Sequence, residues 1–134
     1  YEVHTVSGLA GGILSTGILG NGPISGTILY SVSKTPSIGS GYLVSLDTKT
    51  GEVIWERKLD TYSWSSGGVI YPENGGAYLI QGCQNGDLLL IDAQTGEVVD
   101  QMNFGTGIEA TPAIFGNRLV VGTRNEQIIG VEIK

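Results

Sequence analysis

Residues 46–55 read Leu-Asp-Thr-Lys-Thr-Gly-Glu-Val-Ile-Trp, and residues 91–100 read Ile-Asp-Ala-Gln-Thr-Gly-Glu-Val-Val-Asp. The second string lies 45 positions after the first, and the same offset carries Ser65-Ser66 onto Ala110-Thr111 and Val69-Ile70 onto Ile114-Phe115. A third copy lies upstream. Ser15-Thr16-Gly17-Ile18-Leu19 precedes Ala110-Thr111-Pro112-Ala113-Ile114 by 95 positions, so the first copy carries about five extra residues. They fall in 33–40, which read Ser-Lys-Thr-Pro-Ser-Ile-Gly-Ser, the composition of a polar hairpin loop. Glu2-Val3 also precedes Glu97-Val98 by 95 positions, so the repeat spans the chain. A fixed period of this length marks a repeat architecture.

Each copy divides into four short strands. In the middle copy, Ser65–Ile70 is followed by a turn at Glu73-Asn74-Gly75-Gly76, and Ala77–Gln81 is a second strand, alternating and then apolar. Asn85-Gly86 signals a hairpin of the type I′ class, in which both central residues take positive φ. Leu88–Ile91 is apolar on both faces and is therefore expected to be buried on both. Asp92 to Gly96 reads as a tight turn, with the Asp92 carboxylate accepting backbone N–H groups and Gly96 in the left-handed region. Asp47 and Gly51 repeat that turn one copy earlier. Glu97–Met102 is the outer strand. No window of ten or more residues carries helical periodicity with caps.

The chain is therefore all-β. Antiparallel four-stranded sheets that are apolar on both faces cannot stand alone and must stack face to face, which is the logic of a β-propeller. The expected organisation across 1–134 is a partial β-propeller of about three blades' worth. Residues 1–10 form the outer strand of a preceding blade, 11–60 and 61–105 are complete blades, and 106–134 is a blade lacking its outer strand. The free strand at one end and the vacant place at the other predict pairing with the remaining propeller blades, with a protein partner, or head to tail with a second copy as a homodimer.

Composition narrows the function. The 134 residues include 22 glycines, more than twice the ordinary proportion, which suits a chain of many turns. Thirteen acidic against seven scattered basic residues give a net charge of −6, which lacks the basic stripe that nucleic acid requires. The uncharged stretch from Thr5 to Ser33 is broken by glycines and ended by Asn21-Gly22-Pro23, so it reads as buried strands rather than a membrane-inserted segment. One cysteine, Cys83, and one histidine, His4, allow neither an internal disulfide nor a Cys/His metal cluster. Gly105-Thr106-Gly107-Ile108-Glu109-Ala110 fits a dinucleotide-binding pattern in letters only, because Pro112 and the strand-like residues after it deny the helix that such a site needs.

The string at 45–55, Ser-Leu-Asp-Thr-Lys-Thr-Gly-Glu-Val-Ile-Trp, resembles the repeat of the pyrroloquinoline-quinone-type (PQQ-like) β-propellers, and the resemblance recurs in register along the whole chain. It implies rings of seven or eight blades, of which this chain holds part. It also implies that a tryptophan docks flat on a glycine peptide of the neighbouring blade, roles that Trp55 and Gly51 fit. Asp100 takes the tryptophan's place in the next copy, and Thr5 takes it in the N-terminal strand, so the docking girdle is incomplete. The quinone-dependent dehydrogenases of this family need the quinone, calcium and often an adjacent cysteine pair. Cys83 is followed by Gln84, and no clustered Asp/Asn ligands are found.

The resemblance therefore implies a non-catalytic scaffold for protein interaction or ligand recognition, extracytoplasmic, with no cofactor, metal or catalytic residue in this chain. The alternative is part of a quinoprotein dehydrogenase whose site lies in other blades. Trp64 and Glu109, 45 apart with Leu14 as their upstream equivalent, sit just before the first strand of a blade, where a propeller faces its channel or upper rim. They line a pocket or pack between blades, and the sequence leaves both open. Arg124, in a hairpin, is expected at the surface.

Overall fold

The computed structural model describes residues 12–33, 40–73 and 75–134. Eleven strands arise in chain order: β1 (Ile18–Leu19), β2 (Thr27–Val32), β3 (Tyr42–Asp47), β4 (Val53–Lys58), β5 (Gly68–Ile70), β6 (Tyr78–Gly82), β7 (Asp87–Asp92), β8 (Val98–Asn103), β9 (Ala113–Phe115), β10 (Arg118–Gly122) and β11 (Ile128–Glu132). One short 3₁₀ turn, Gly22–Ile24, is set between β1 and β2. The strands form three antiparallel sheets in simple up-and-down order: β1-β2-β3-β4, β5-β6-β7-β8 and β9-β10-β11. These are the blades of a partial propeller, called I, II and III below. The expected N-terminal strand and most of the loop after Ser33 lie outside the described residues, as do His4, Lys34 and Asn74.

Register makes the repeat three-dimensional. Ile18 pairs with Leu29, Gly68 with Ile80 and Ala113 with Val120, while Thr27, Tyr78 and Arg118 pair with Asp47, Asp92 and Glu132. These pairings fix which residues are counterparts. Because side chains alternate across a strand, each sheet sends one set to the blade before it and the other to the blade after. Leu29 and Leu43 of blade I meet Leu79, Leu89 and Ile91 of blade II in one core. Ile70, Ile80 and Leu88 of blade II meet Ile108, Leu119 and Val121 of blade III in a second. Leu88, Leu89 and Ile91 of β7 are each buried, as the two-sided apolar run requires.

Two sequence expectations are corrected in detail. The hairpin at Asn85-Gly86 is not type I′, since Gly86 has φ +93° but Asn85 is not in the positive-φ region. The Gly86 amide donates to the Cys83 carbonyl at 3.1 Å and the Cys83 amide to the Asp87 carbonyl at 2.8 Å, a three-residue connection ending in a left-handed glycine. At the counterpart position of blade III, Glu126 adopts φ +58° without glycine's freedom. The second correction concerns Trp55. Its glycine is Gly96 of blade II, not Gly51, because β4 is the outer strand of blade I and reaches forward onto the next sheet. Nothing lies within 4 Å of where a Gly51 side chain would start.

Candidate functional site on the blade rim

The turns that close β3 and β7 show why the Asp-x-x-Thr-Gly string is spaced as it is. Asp47 Oδ1 accepts the amides of Lys49 and Thr50, both at 2.8 Å, and Asp92 Oδ1 accepts those of Gln94 at 2.8 Å and Thr95 at 3.2 Å. The Thr50 and Lys49 amides hold the Asp47 carboxyl below its usual range. Gly51 and Gly96 close these turns at φ +72° and +76°. The turn at 92–96 is then clasped by blade I. The Trp55 indole N–H donates to the Ala93 carbonyl at 3.0 Å, and the Arg57 guanidinium donates to the Gly96 carbonyl. A Cβ at Gly96 would stand 2.6 Å from the Trp55 ring, so only glycine admits the indole. This clasp is structural.

The opposite rim holds the more accessible chemistry. There one hydrogen bond recurs, between a residue just after the second strand of each blade and the segment leading into that blade. The amides of Ser33, Gln84 and Arg124 donate to the carbonyls of Gly12, Tyr62 and Gly107 at 2.8, 3.2 and 3.0 Å. This bond brings counterparts Gln84 and Arg124 to either side of Glu109. Glu109 Oε1 accepts Gln84 Nε2 at 2.5 Å and pairs with Arg124 Nε at 3.2 Å, with the glutamate side chain one-third exposed and the arginine more than half exposed. One carboxylate thus ties the rims of blades II and III. Gly107 allows it, because a Cβ there would lie 2.9 Å from Gln84 Oε1.

One repeat back, Trp64 does not join that cluster. It is half-buried with its ring 5.3 Å from that of Tyr62, tilted by 43°, and its indole N–H is buried with no acceptor. Trp64 and Glu109 therefore share a structural position but not a common site. Behind them lies a polar network that sequence reasoning missed. Gln81 Nε2 donates to Ser63 Oγ at 2.8 Å and to the Ser65 carbonyl at 3.0 Å, while Ser65 Oγ donates across the boundary to the Ala110 carbonyl at 2.9 Å. A glutamine inside an otherwise apolar strand was its only sequence signal. Such a buried, satisfied network fixes geometry rather than chemistry.

Cys83 is buried in the core between blades I and II, and burial, with the Asp87 and Asp60 charges, pushes its thiol up to about 12. A thiol held protonated is a poor nucleophile. No group of three or more His, Cys, Asp or Glu side chains comes together among the described residues. No helix among them is long and apolar enough to cross a membrane. What the rim offers is an ion pair, amide groups and an aromatic pair.

Fold and motif together define a PQQ-like repeat propeller, here in part. The family described as outer membrane protein assembly factor BamB matches residues 39–134, and the chain belongs to that family. A curated relative, the outer membrane protein assembly factor BamB of Legionella pneumophila (strain Paris), is 30% identical over 83 residues, 62% of this chain and 21% of the relative. The chain thus spans about a fifth of that relative's length. Among solved structures, the β-propeller domain of Cps50 (Swd1) from Myceliophteria thermophila superposes with TM-score 0.58 at 18% identity, covering 78% of this chain and 32% of that one. BamB from Moraxella catarrhalis gives 0.54 at 15% identity, covering 91% and 45%. The quinohemoprotein alcohol dehydrogenase ADHIIG from Pseudomonas putida HK5 gives 0.56 at 14%, covering 80% and 21%. These likenesses show the propeller fold.

Proposed function

We propose that the chain is a non-catalytic, extracytoplasmic recognition module, part of a larger propeller that binds a protein partner in the manner named for its relatives, outer-membrane-protein assembly. The blades divide at about 60/61 and 105/106, and the partner is another protein together with the remaining blades. No observation among the described residues favours a second copy of this chain. The observation that carries this reading is the rim. Glu109, Gln84 and Arg124 meet across a blade boundary at the surface, and the Tyr62–Trp64 pair lies one blade away. Half-exposed aromatic and arginine side chains on a rigid sheet edge are the residue types enriched where proteins bind proteins. The kinship with quinohemoprotein dehydrogenases lies in fold, which carries no chemistry of its own.

Site-specific photo-crosslinking from the rim, with the reactive group at Arg124 or Trp64 in cells of the source organism, tests this. Adducts with a component of the outer-membrane assembly machinery support it. Adducts only with unrelated proteins, or none, sink it. Trp64→Ala should weaken such binding while leaving the β circular-dichroism signal intact, whereas loss of that signal would assign Trp64 to packing.

A further inference from the structure

The I–II boundary is apolar where Ile24 and Trp55 pack, 3% and 9% exposed, but it turns polar near the start of blade II. Three positions decide this, and register matches them with the next boundary. Leu29 aligns with Ile80 through their partners Ile18 and Gly68, so Ser31 aligns with Gly82. Ile80 aligns in turn with Val120, so Gln81 aligns with Val121. Tyr62 and Gly107 accept the same recurring amide bond, so Ser63 aligns with Ile108. At the II–III boundary these positions make an apolar plug. Ile108 is wholly buried with Val121, and it lies so close to Gly82 that a Cβ there would stand 2.4 Å from its Cγ2. At the I–II boundary the same places hold Ser31, Ser63 and Gln81, all buried.

Buried polar groups need partners. Ser63 Oγ donates to the Gly82 carbonyl at 2.6 Å and accepts Gln81 Nε2 at 2.8 Å. Ser31 Oγ is buried and has no hydrogen-bond partner among the described residues. It lies on the face of β2 that meets blade II, since Ser31 pairs with Leu43 and Leu43 belongs to the I–II core. A void of about 10 Å³ stands between the blades here, bordered by Ser31, Leu29, Leu43, Gly67, Leu79 and Gln81. Gln81 Nε2 has three acceptors, Ser63 Oγ and the Ser65 and Gly82 carbonyls, which fixes the orientation of the amide. Its Oε1 accordingly turns toward Gly67, 3.1 Å from where a Cβ would start.

We propose that this void is the binding site of one ordered water molecule, which accepts from the Ser31 hydroxyl and donates to Gln81 Oε1, joining blades I and II. The void is about the space one water needs and too small for any larger ligand. No charged side chain borders it, so an ion would find no counter-charge. Two facing polar atoms meet the lower bound of hydrogen bonds that buried waters make. Every bordering residue belongs to blades I and II, and the site does not rest on the partner proposed above.

The sign of one substitution tests this. Ser31→Ala deletes the hydroxyl and spares the bonds to Ser15, which use the Ser31 backbone. A buried hydroxyl with no partner costs stability, so deleting it would raise the midpoint of denaturation. A hydroxyl bound to an ordered water stabilises, and deleting it leaves the water and Gln81 short of a bond. Urea denaturation of the full chain should therefore give a lower midpoint for Ser31→Ala than for the parent. An equal or higher midpoint overturns the proposal. A high-resolution crystal structure of the parent chain should show one water peak within hydrogen-bond distance of both Ser31 Oγ and Gln81 Oε1. An empty void, or Ser31 Oγ bonded directly to a protein group, overturns the proposal even where the midpoint falls.

Discussion

The boundary between blades I and II is closed by a clasp, and the boundary between blades II and III is not, although the same repeat builds both. Each has an apolar core of similar make-up near the middle of the sheets. They differ at the outer end. Trp55 and Arg57 of β4 grip the turn Ala93–Gly96, while their counterparts on β8 are Asp100 and Met102, both solvent-exposed. The apolar alternation of the strands is enough to stack blades, because burial is non-directional and follows area. Directional contacts, an indole N–H and a guanidinium on named carbonyls, then set how firmly a given pair is joined. A repeat protein distributes stability among its interfaces in this way, with each neighbour contact adding its own increment.

Breaking the clasp should have the largest effect. Trp55→Ala removes a buried aromatic and leaves the Ala93 carbonyl without its donor, for an expected loss of about 3–5 kcal/mol in chemical denaturation. An unchanged midpoint would mean that the indole does not hold the boundary. Gly96→Ala should cost about 2–4 kcal/mol, combining left-handed strain with a Cβ driven into the indole. Gly51→Ala has the strain but an empty surrounding, and should cost only about 1–2 kcal/mol. Equal losses at the two glycines would erase the distinction drawn here between a clasped and a free turn.

Cys83 reports on the same boundary through pH. Its thiol is pushed up to about 12 by burial and by Asp87 and Asp60, against an ordinary value of 9.0. The folded chain therefore holds this proton where the unfolded chain releases it. That contribution to stability is complete below pH 9 and is lost as pH rises from about 9 to 12. Melting curves across that range should fall less steeply for Cys83→Ala than for the parent chain. At pH 8 the thiol should react with a disulfide reagent only on unfolding, and rapid labelling of the folded chain would place Cys83 outside the core.

The fold was legible because two ten-residue strings repeat at a fixed spacing, and their alternation and glycines admit few arrangements besides stacked sheets. The partner of Trp55 was harder to read. Thr-Gly turns occur at 50–51 and 95–96, and the sequence alone does not say which one the outer strand of blade I faces; sheet order does. The rim cluster was hidden for a different reason. The shortened turn of blade III moves Arg124 to 40 residues after Gln84 instead of 45, so the two do not look equivalent until strand register aligns them. Glu109 was singled out by position, but its two partners come from hairpins whose sequences carry no shared signal. Ile24 and Arg57 gave none either, because an isoleucine beside a proline and an arginine on an outer strand are ordinary in most β proteins.

Native-state hydrogen exchange, resolved by residue, tests most directly the claim that the two boundaries differ in strength. Amides of β6 and β7, from Leu79 to Ile91, should exchange only through the largest opening of the chain. Those of β10 and β11, from Leu119 to Val131, should exchange through a smaller, separate opening of blade III. Trp55→Ala should bring the two groups together by lowering the first and leaving the second unchanged. Uniform protection across blades II and III, unaltered by that substitution, would contradict the account.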